Sequence, residues 1–180
     1  MPKKWNTLES KEIFGNSIFG FRQDKVESPK TGKHHPIWVM DAPSWVNIIP
    51  ITLDKKIIMV NQYRFGSKEI SLEIPGGVTN KGETPKEAAL RELREETGYE
   101  SNKVFELGRV FCNPALMSNY TFSFLALDVE NKYSQELDDM EDIEILIIDM
   151  GEIPKLITVS YTHLRAHETE ADLVCRLLLE

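Results

Sequence analysis

Cysteine is scarce in this 180-residue chain: Cys112 and Cys175 are too few and too isolated for a disulfide framework or a thiolate metal site. Long apolar runs are missing too. No stretch approaches the length of a membrane span, and the lysines of the opening MPKKWNTLES lead into no apolar segment of the secretory kind. A soluble, cytoplasmic protein with no membrane partner is the expectation. Positive charge is also in short supply. The formal net charge of −8 argues against nucleic acid as a partner, because phosphate backbones are held by clustered Lys and Arg. An acidic protein can still bind a phosphorylated small molecule when divalent cations stand between the two sets of negative charge.

What the chain does have is 41% hydrophobic residues, enough for one sizeable core. After a polar start, IFGNSIFGFRQDKV and HPIWVMD read as two strands joined by the turn-rich ESPKTGKH, which makes residues 1–43 an N-terminal antiparallel β-hairpin module. WVNIIPITL and KIIMVNQYRF, flanking the short DKK turn, read as two deeper strands. VFELGRVF, YTFSFLALDV and IEILIIDM follow as further strands, with one clear helix before them and a second begun by GEIPKLIT. Strands interrupted by helices predict an α/β (α+β) fold, with a mixed sheet covered by helices over residues 44–158.

Residues 159–180, VSYTHLRAHETEADLVCRLLLE, break this pattern. VSYTHLRAHET resembles one reading frame of a transposase-based library adapter, and LVCRLLLE resembles the same read continuing into a flow-cell primer. Adapter read-through, not native sequence, is therefore expected here. An amphipathic helix is the alternative, with Leu173, Val174, Leu177 and Leu178 at helical spacing. Without the tail, which carries two Arg and four acidic residues, the net charge is −6 and the chain remains acidic.

The clear helix is written in GETPKEAALRELREETGY. Thr84 is the expected N-cap, Pro85 suits the first helical position, Glu87 completes a capping box and Gly98 supplies the stop. Ala89, Leu90, Leu93 and Thr97 form the expected inward stripe, leaving Glu92, Glu95 and Glu96 on an adjoining face. Three like charges near a helix C-terminus repel one another and oppose the macrodipole. A solvated acidic face tied down by Arg91 and Arg94 is one explanation. A site for a hard divalent cation, which takes oxygen ligands, is the other. The upstream EIPGGVTNKGE favours the second, since Gly76 and Gly77 permit close backbone approach and Glu83 stands just before the cap.

From Gly77 to Tyr99 the chain reads GVTNKGETPKEAALRELREETGY. This resembles the Nudix box, G-x5-E-x7-R-E-U-x-E-E-x-G-U, at every specified position, with Tyr99 the only loose fit. The resemblance to the Nudix hydrolase family implies the Nudix fold and Mg²⁺- or Mn²⁺-dependent hydrolysis of a nucleoside diphosphate linked to another group. It implies Glu92 and Glu96 as principal metal ligands, joined by the carbonyl of Gly77. Glu95 completes the acidic cluster, and Glu83 with Arg91 holds the carboxylates in place. A catalytic base is expected on the later loop DDMEDIEI, with Glu141 as first candidate and Asp139 as second.

Pro114 in CNPALMSN, fifteen residues past the box, resembles the ADP-ribose and nucleoside diphosphate sugar pyrophosphatase branch, as do Arg64 in NQYRFG and Glu73 in LEIPGG. The branch implies that Arg64 grips a phosphate and Glu73 accepts from ribose hydroxyls. It also implies a homodimer built on the N-terminal strands, with Phe14, Phe19, Trp38 or Trp45 as rings that could reach the base. The alternatives are a Nudix hydrolase of another nucleoside diphosphate derivative and a non-catalytic nucleotide sensor.

Overall fold

A computed structural model gives the fold and describes residues 1–159. The tail read as adapter sequence, with His163, His167 and Cys175, lies outside the described residues from position 160 onward. The chain divides into two compact units, Met1–Ser44 with Arg109–Thr121, and Trp45–Gly108 with the chain from Phe122 onward.

The first unit holds a three-stranded antiparallel sheet of β1 (Asn6–Gly15), β2 (Gly20–Glu27) and β3 (His34–Asp41), in that order. The expected single strand IFGNSIFGFRQDKV is itself a hairpin. Its turn is made by the Asn16 side chain, whose Oδ1 accepts from the backbone N–H groups of Ile18 (2.8 Å) and Phe19 (2.9 Å). An Asx side chain that mimics a backbone turn reverses the chain inside an apolar run. The unit thus has one strand more than the sequence pattern predicts.

The second unit contains β4 (Trp45–Ile51), β5 (Lys56–Arg64), β6 (Glu69–Glu73), β7 (Gly76–Val78), α1 (Pro85–Thr97) and β8 (Tyr99–Glu100). After these come β9 (Lys103–Phe111) and β10 (Tyr120–Leu127), whose residues 109–111 and 120–121 are counted with the first unit, and then β11 (Glu130–Asn131), β12 (Ile143–Asp149), a 3₁₀ turn (Met150–Glu152) and α2 (Ile153–Val159). The main sheet runs β12-β5-β4-β10-β9, with β6 added to β5 and β7 to β4. Alternate residues of the central strands feed two cores. Val46, Ile48 and Ile58 pack with Ala88, Ala89 and Leu93 of α1, while Ile49, Ile51, Ile57 and Met59 pack with Ile153 and Leu156 of α2. A sheet covered on both faces explains why β4 and β5 read as nearly continuous apolar runs. Among the described residues no helix is long and apolar enough to cross a membrane.

Helix α1 begins and ends as its sequence predicts. The Thr84 side chain accepts from the Glu87 N–H (3.3 Å), the Glu87 carboxylate accepts from the Thr84 N–H (2.8 Å), and Gly98 closes the helix at φ 73° with its N–H on the Arg94 carbonyl (2.8 Å). Its buried face differs from the expected stripe: Leu90 is only half-buried, and Glu92 and Glu96 are buried instead. Gly98 carries two constraints at once. A Cβ there would face the left-handed backbone cost and would stand 2.1 Å from the Tyr133 carbonyl oxygen. Gly82 has φ 86° but nothing within 4 Å of its Cβ position. In urea unfolding, Gly82→Ala should therefore cost about 1–2 kcal/mol, the backbone part alone, and Gly98→Ala clearly more. Equal costs would show that the segment around Tyr133 yields freely.

Candidate active site

Arg91 organises the polar side of α1. Its Nε and Nη2 donate to the two oxygens of Glu83 (2.9 and 3.1 Å), and Nη2 also donates to the Val78 carbonyl (2.9 Å). Its Nη1 donates to Glu92 Oε1 and Glu95 Oε2, both at 2.9 Å. One guanidinium thus ties together the end of β7, the residue before the helix cap and two helix carboxylates. The hydrogen bonds to Glu83 are the main reason that Glu83 is held below the usual carboxylate range and the Arg91 proton is held more tightly still.

Glu92 and Glu96, one turn apart, have left water almost completely, at 8% and 3% exposure. Burial pushes the Glu96 carboxyl up to about 8, with the charges of Glu92 and Glu141 adding to it and a hydrogen bond from the Gly76 N–H (3.0 Å) opposing it. Burial likewise raises Glu92, against the pull of Arg91 and with help from Glu95 and Glu141. The glycines of β7 make this burial possible. A Cβ on Gly77 would fall 2.3 Å from Glu92 Oε1, so only glycine lets the strand lie against that carboxylate.

Three other predicted residues join this cluster electrostatically. Glu141 acts on both buried glutamates, and the Glu96 and Glu141 charges both reinforce the raised pKa of Arg64. The main cause of that shift is Glu73, which holds the Arg64 fork bidentately at 2.9 and 2.5 Å. Glu141 sits in a tight turn, its N–H on the Asp138 carbonyl (2.9 Å) and its Oε2 accepting from the Asp138 N–H (3.0 Å). Asp139 is exposed in the same turn. Pro114 belongs to the first unit, in a turn closed by the Leu116 and Met117 N–H groups on the Asn113 carbonyl. The Gly76 N–H and the Val78 carbonyl, which orient Glu96 and Arg91, went unpredicted because backbone contacts leave no trace in a side-chain pattern.

No three His, Cys, Asp or Glu side chains among the described residues stand close enough to hold a metal as they are. Glu92 and Glu95 turn toward Arg91, and Glu96 toward Gly76. The donor chemistry nevertheless fits a hard divalent cation: the cluster offers carboxylate oxygen only, and two of its members are buried acids whose ionisation Arg91 and the Gly76 N–H support only in part. A NUDIX domain model matches residues 43–166. The chain belongs to the Nudix family. It is 32% identical over 152 residues to an ADP-ribose pyrophosphatase of Bacillus subtilis, covering 84% of this chain and 82% of the relative. It is also 32% identical over 147 residues to a methanol dehydrogenase activator of Bacillus methanolicus, covering 81% and 79% of the two chains. A solved structure described as an ADP compounds hydrolase superposes with a TM-score of 0.84 over 99% of this chain and 96% of its own, at 22% identity. The Nudix fold expected from the box is thereby shown.

A carboxyl whose folded pKa of about 8 lies above its unfolded 4.5 contributes stability that is complete below 4.5 and is lost as pH rises through 8. Metal-free protein in EDTA should therefore lose stability between pH 5.5 and 8.5. Glu96→Gln should lose less over the same range, by on the order of a few kcal/mol, and should be the more stable protein at pH 8.5. Parallel stability curves for the two proteins in chemical denaturation would refute the buried-acid account.

Proposed function

We propose that this Nudix protein hydrolyses the diphosphate of ADP-ribose or a related nucleoside diphosphate sugar, releasing a nucleoside monophosphate and a sugar phosphate. The observation that carries the reading is the buried pair Glu92 and Glu96, set against β7 and within the field of Glu141 and Arg64. The relative named ADP-ribose pyrophosphatase, aligned over most of both chains, supports the substrate class.

Glu92, Glu96 and the Gly77 carbonyl would hold Mg²⁺ or Mn²⁺, with Glu95 completing the acidic cluster. When bound, such an ion withdraws electron density from the bridging phosphates and lowers the pKa of a coordinated water. The protein's own groups do the rest. Arg91, anchored on Glu83 and Val78, keeps Glu92 and Glu95 from swinging outward. Glu141 orients the attacking water and takes its proton, with Asp139 as the second candidate. The water oxygen then bonds to phosphorus as one bridging P–O bond breaks. Arg64 grips a substrate phosphate with the fork that Glu73 now occupies, and Glu73 is then free to accept from ribose hydroxyls. Pro114 shapes the substrate loop after the box.

Residues 44–158 form the catalytic domain in this reading, with residues 1–43 as an appended module and residues 159–180 as non-native sequence. All ten residues of β1 are exposed, including Ile13 and Phe14, and an edge strand of this kind supports pairing with a second copy. A homodimer acting on small nucleotides in the cytoplasm follows, with no nucleic-acid or membrane partner. Incubation with ADP-ribose and sugar nucleotides should give turnover in Mg²⁺ and none in EDTA. Glu141→Gln should lower kcat by roughly 10²–10⁴-fold with KM little changed. Turnover without metal, or full activity in Glu96→Gln, would overturn the proposal.

A further inference from the structure

A segment that the Nudix box does not include binds the end of α1 to the loop that carries Glu141. The last carbonyls of an α-helix have no partner within the helix. Here residues 132–136 supply donors to them. Lys132 and Tyr133 give their N–H groups to the Gly98 carbonyl (3.0 and 3.1 Å), and Glu136 gives its own to the Glu95 carbonyl (2.9 Å). Gln135 contributes its side chain instead: Nε2 donates to the Glu96 carbonyl at 2.7 Å and to the Ile143 carbonyl at 3.2 Å.

That second bond matters because of what lies between its ends. Ile143 is the first residue of β12, and residues 136–142 form the connection from Gln135 to it, with Glu141 near its far end. One amide therefore fastens both ends of this loop to the peptide carbonyl of Glu96. Packing does not do so, since every residue from 138 to 142 is exposed and only Leu137 is half-buried. Glu136, through its N–H on the Glu95 carbonyl and its ion pair with Arg94 (3.7 Å), holds the first residue of the loop to α1, whereas the Gln135 amide also reaches the far end at Ile143. Both of its contacts are donated to carbonyl oxygens, so a neutral –NH₂ suits the position and a carboxylate or an alkyl group does not.

We propose that Gln135 is a positioning residue: its –NH₂ group, shared between the Glu96 and Ile143 carbonyls, sets the distance from Glu141 to the buried glutamates of α1. This rests on the reading of Glu141 as the group that activates water. The residue touches neither substrate nor reacting atoms and acts through the loop alone.

The test uses the full chain and the variants Gln135→Met, Glu141→Gln and their double mutant. Met keeps the length of the side chain and removes both donors. Hydrogen exchange is the first readout and needs no activity: amides of residues 138–143 should exchange at least about tenfold faster in Gln135→Met, with the α1 amides unchanged. The second readout is kinetic, with ADP-ribose and Mg²⁺. Gln135→Met should lower kcat by about 10–100-fold with KM within twofold, and adding it to Glu141→Gln should lower kcat by less than about twofold further. Unchanged exchange of the loop overturns the positioning role. Effects that multiply in the double mutant show that Gln135 acts elsewhere and overturn it too. Wild-type kcat in Glu141→Gln removes the assignment of the base, and with it the catalytic consequence of the position. Loop exchange distinguishes that failure from a failure of the Gln135 link itself.

Discussion

Two carboxylates that cannot easily be ionised where they sit are the constraint on which this site depends. Glu92 and Glu96 occupy the buried side of α1, where an apolar residue would be the stable choice, and burial holds Glu96 protonated up to about pH 8. An isolated buried charge costs several kcal/mol. The surrounding structure offsets part of this with one guanidinium and one backbone N–H. Arg91 neutralises the outer side, through Glu83, Glu92 and Glu95, and Gly76 donates to Glu96. The rest is met by a proton on Glu96 in the metal-free protein, and a divalent cation of the kind Nudix chemistry uses would take that proton's place.

The rest of the fold keeps the two glutamates in place. The capping box starts α1 immediately after Glu83, and Leu93, Ala88 and Ala89 clamp the helix to β4 and β5 through a hydrophobic core. β7 pairs with β4 at Trp45–Asn47, which brings its two glycines up to the helix carboxylates. Arg64 and Glu73 lie on the neighbouring β5 and β6 and hold each other in a bidentate ion pair. The loop bearing Glu141 comes from the opposite end of the sequence and is held by hydrogen bonds, not by burial. Strands and a helix thus carry the groups proposed to bind, and an exposed loop carries the group proposed to move a proton.

Much of this was legible in the residues because the deciding signals are local. Thr84, Pro85, Glu87 and Gly98 mark both ends of α1, and the box spacing points to Glu92 and Glu96 without any tertiary information. The depth of those glutamates was not legible. Helical periodicity favours Leu90 as the inward residue, and only the approach of Gly77 from another strand explains why Glu92 is buried in its place. The turn at Asn16 was hidden for a related reason: a side-chain hydrogen bond reverses the chain where the apolar pattern runs on. In sequence Arg64 and Glu73 are two separate candidate ligand contacts; the folded chain joins them in a bidentate ion pair, although the β5–β6 register sets Arg64 opposite Glu69 and Glu73 opposite Val60. The segment from Lys132 to Glu136 has no periodicity to read, and its Gln135 side chain joins a carbonyl 39 positions back in the chain to one 8 positions ahead.

Titration calorimetry of Mn²⁺ into metal-free protein at pH 7.5, in the absence of any nucleotide, tests the central claim most directly. Wild-type protein should bind the ion, and Glu96→Gln, which keeps the shape and the Gly76 contact but not the charge, should bind it more than about tenfold more weakly. Equal affinity in the two proteins would contradict the account.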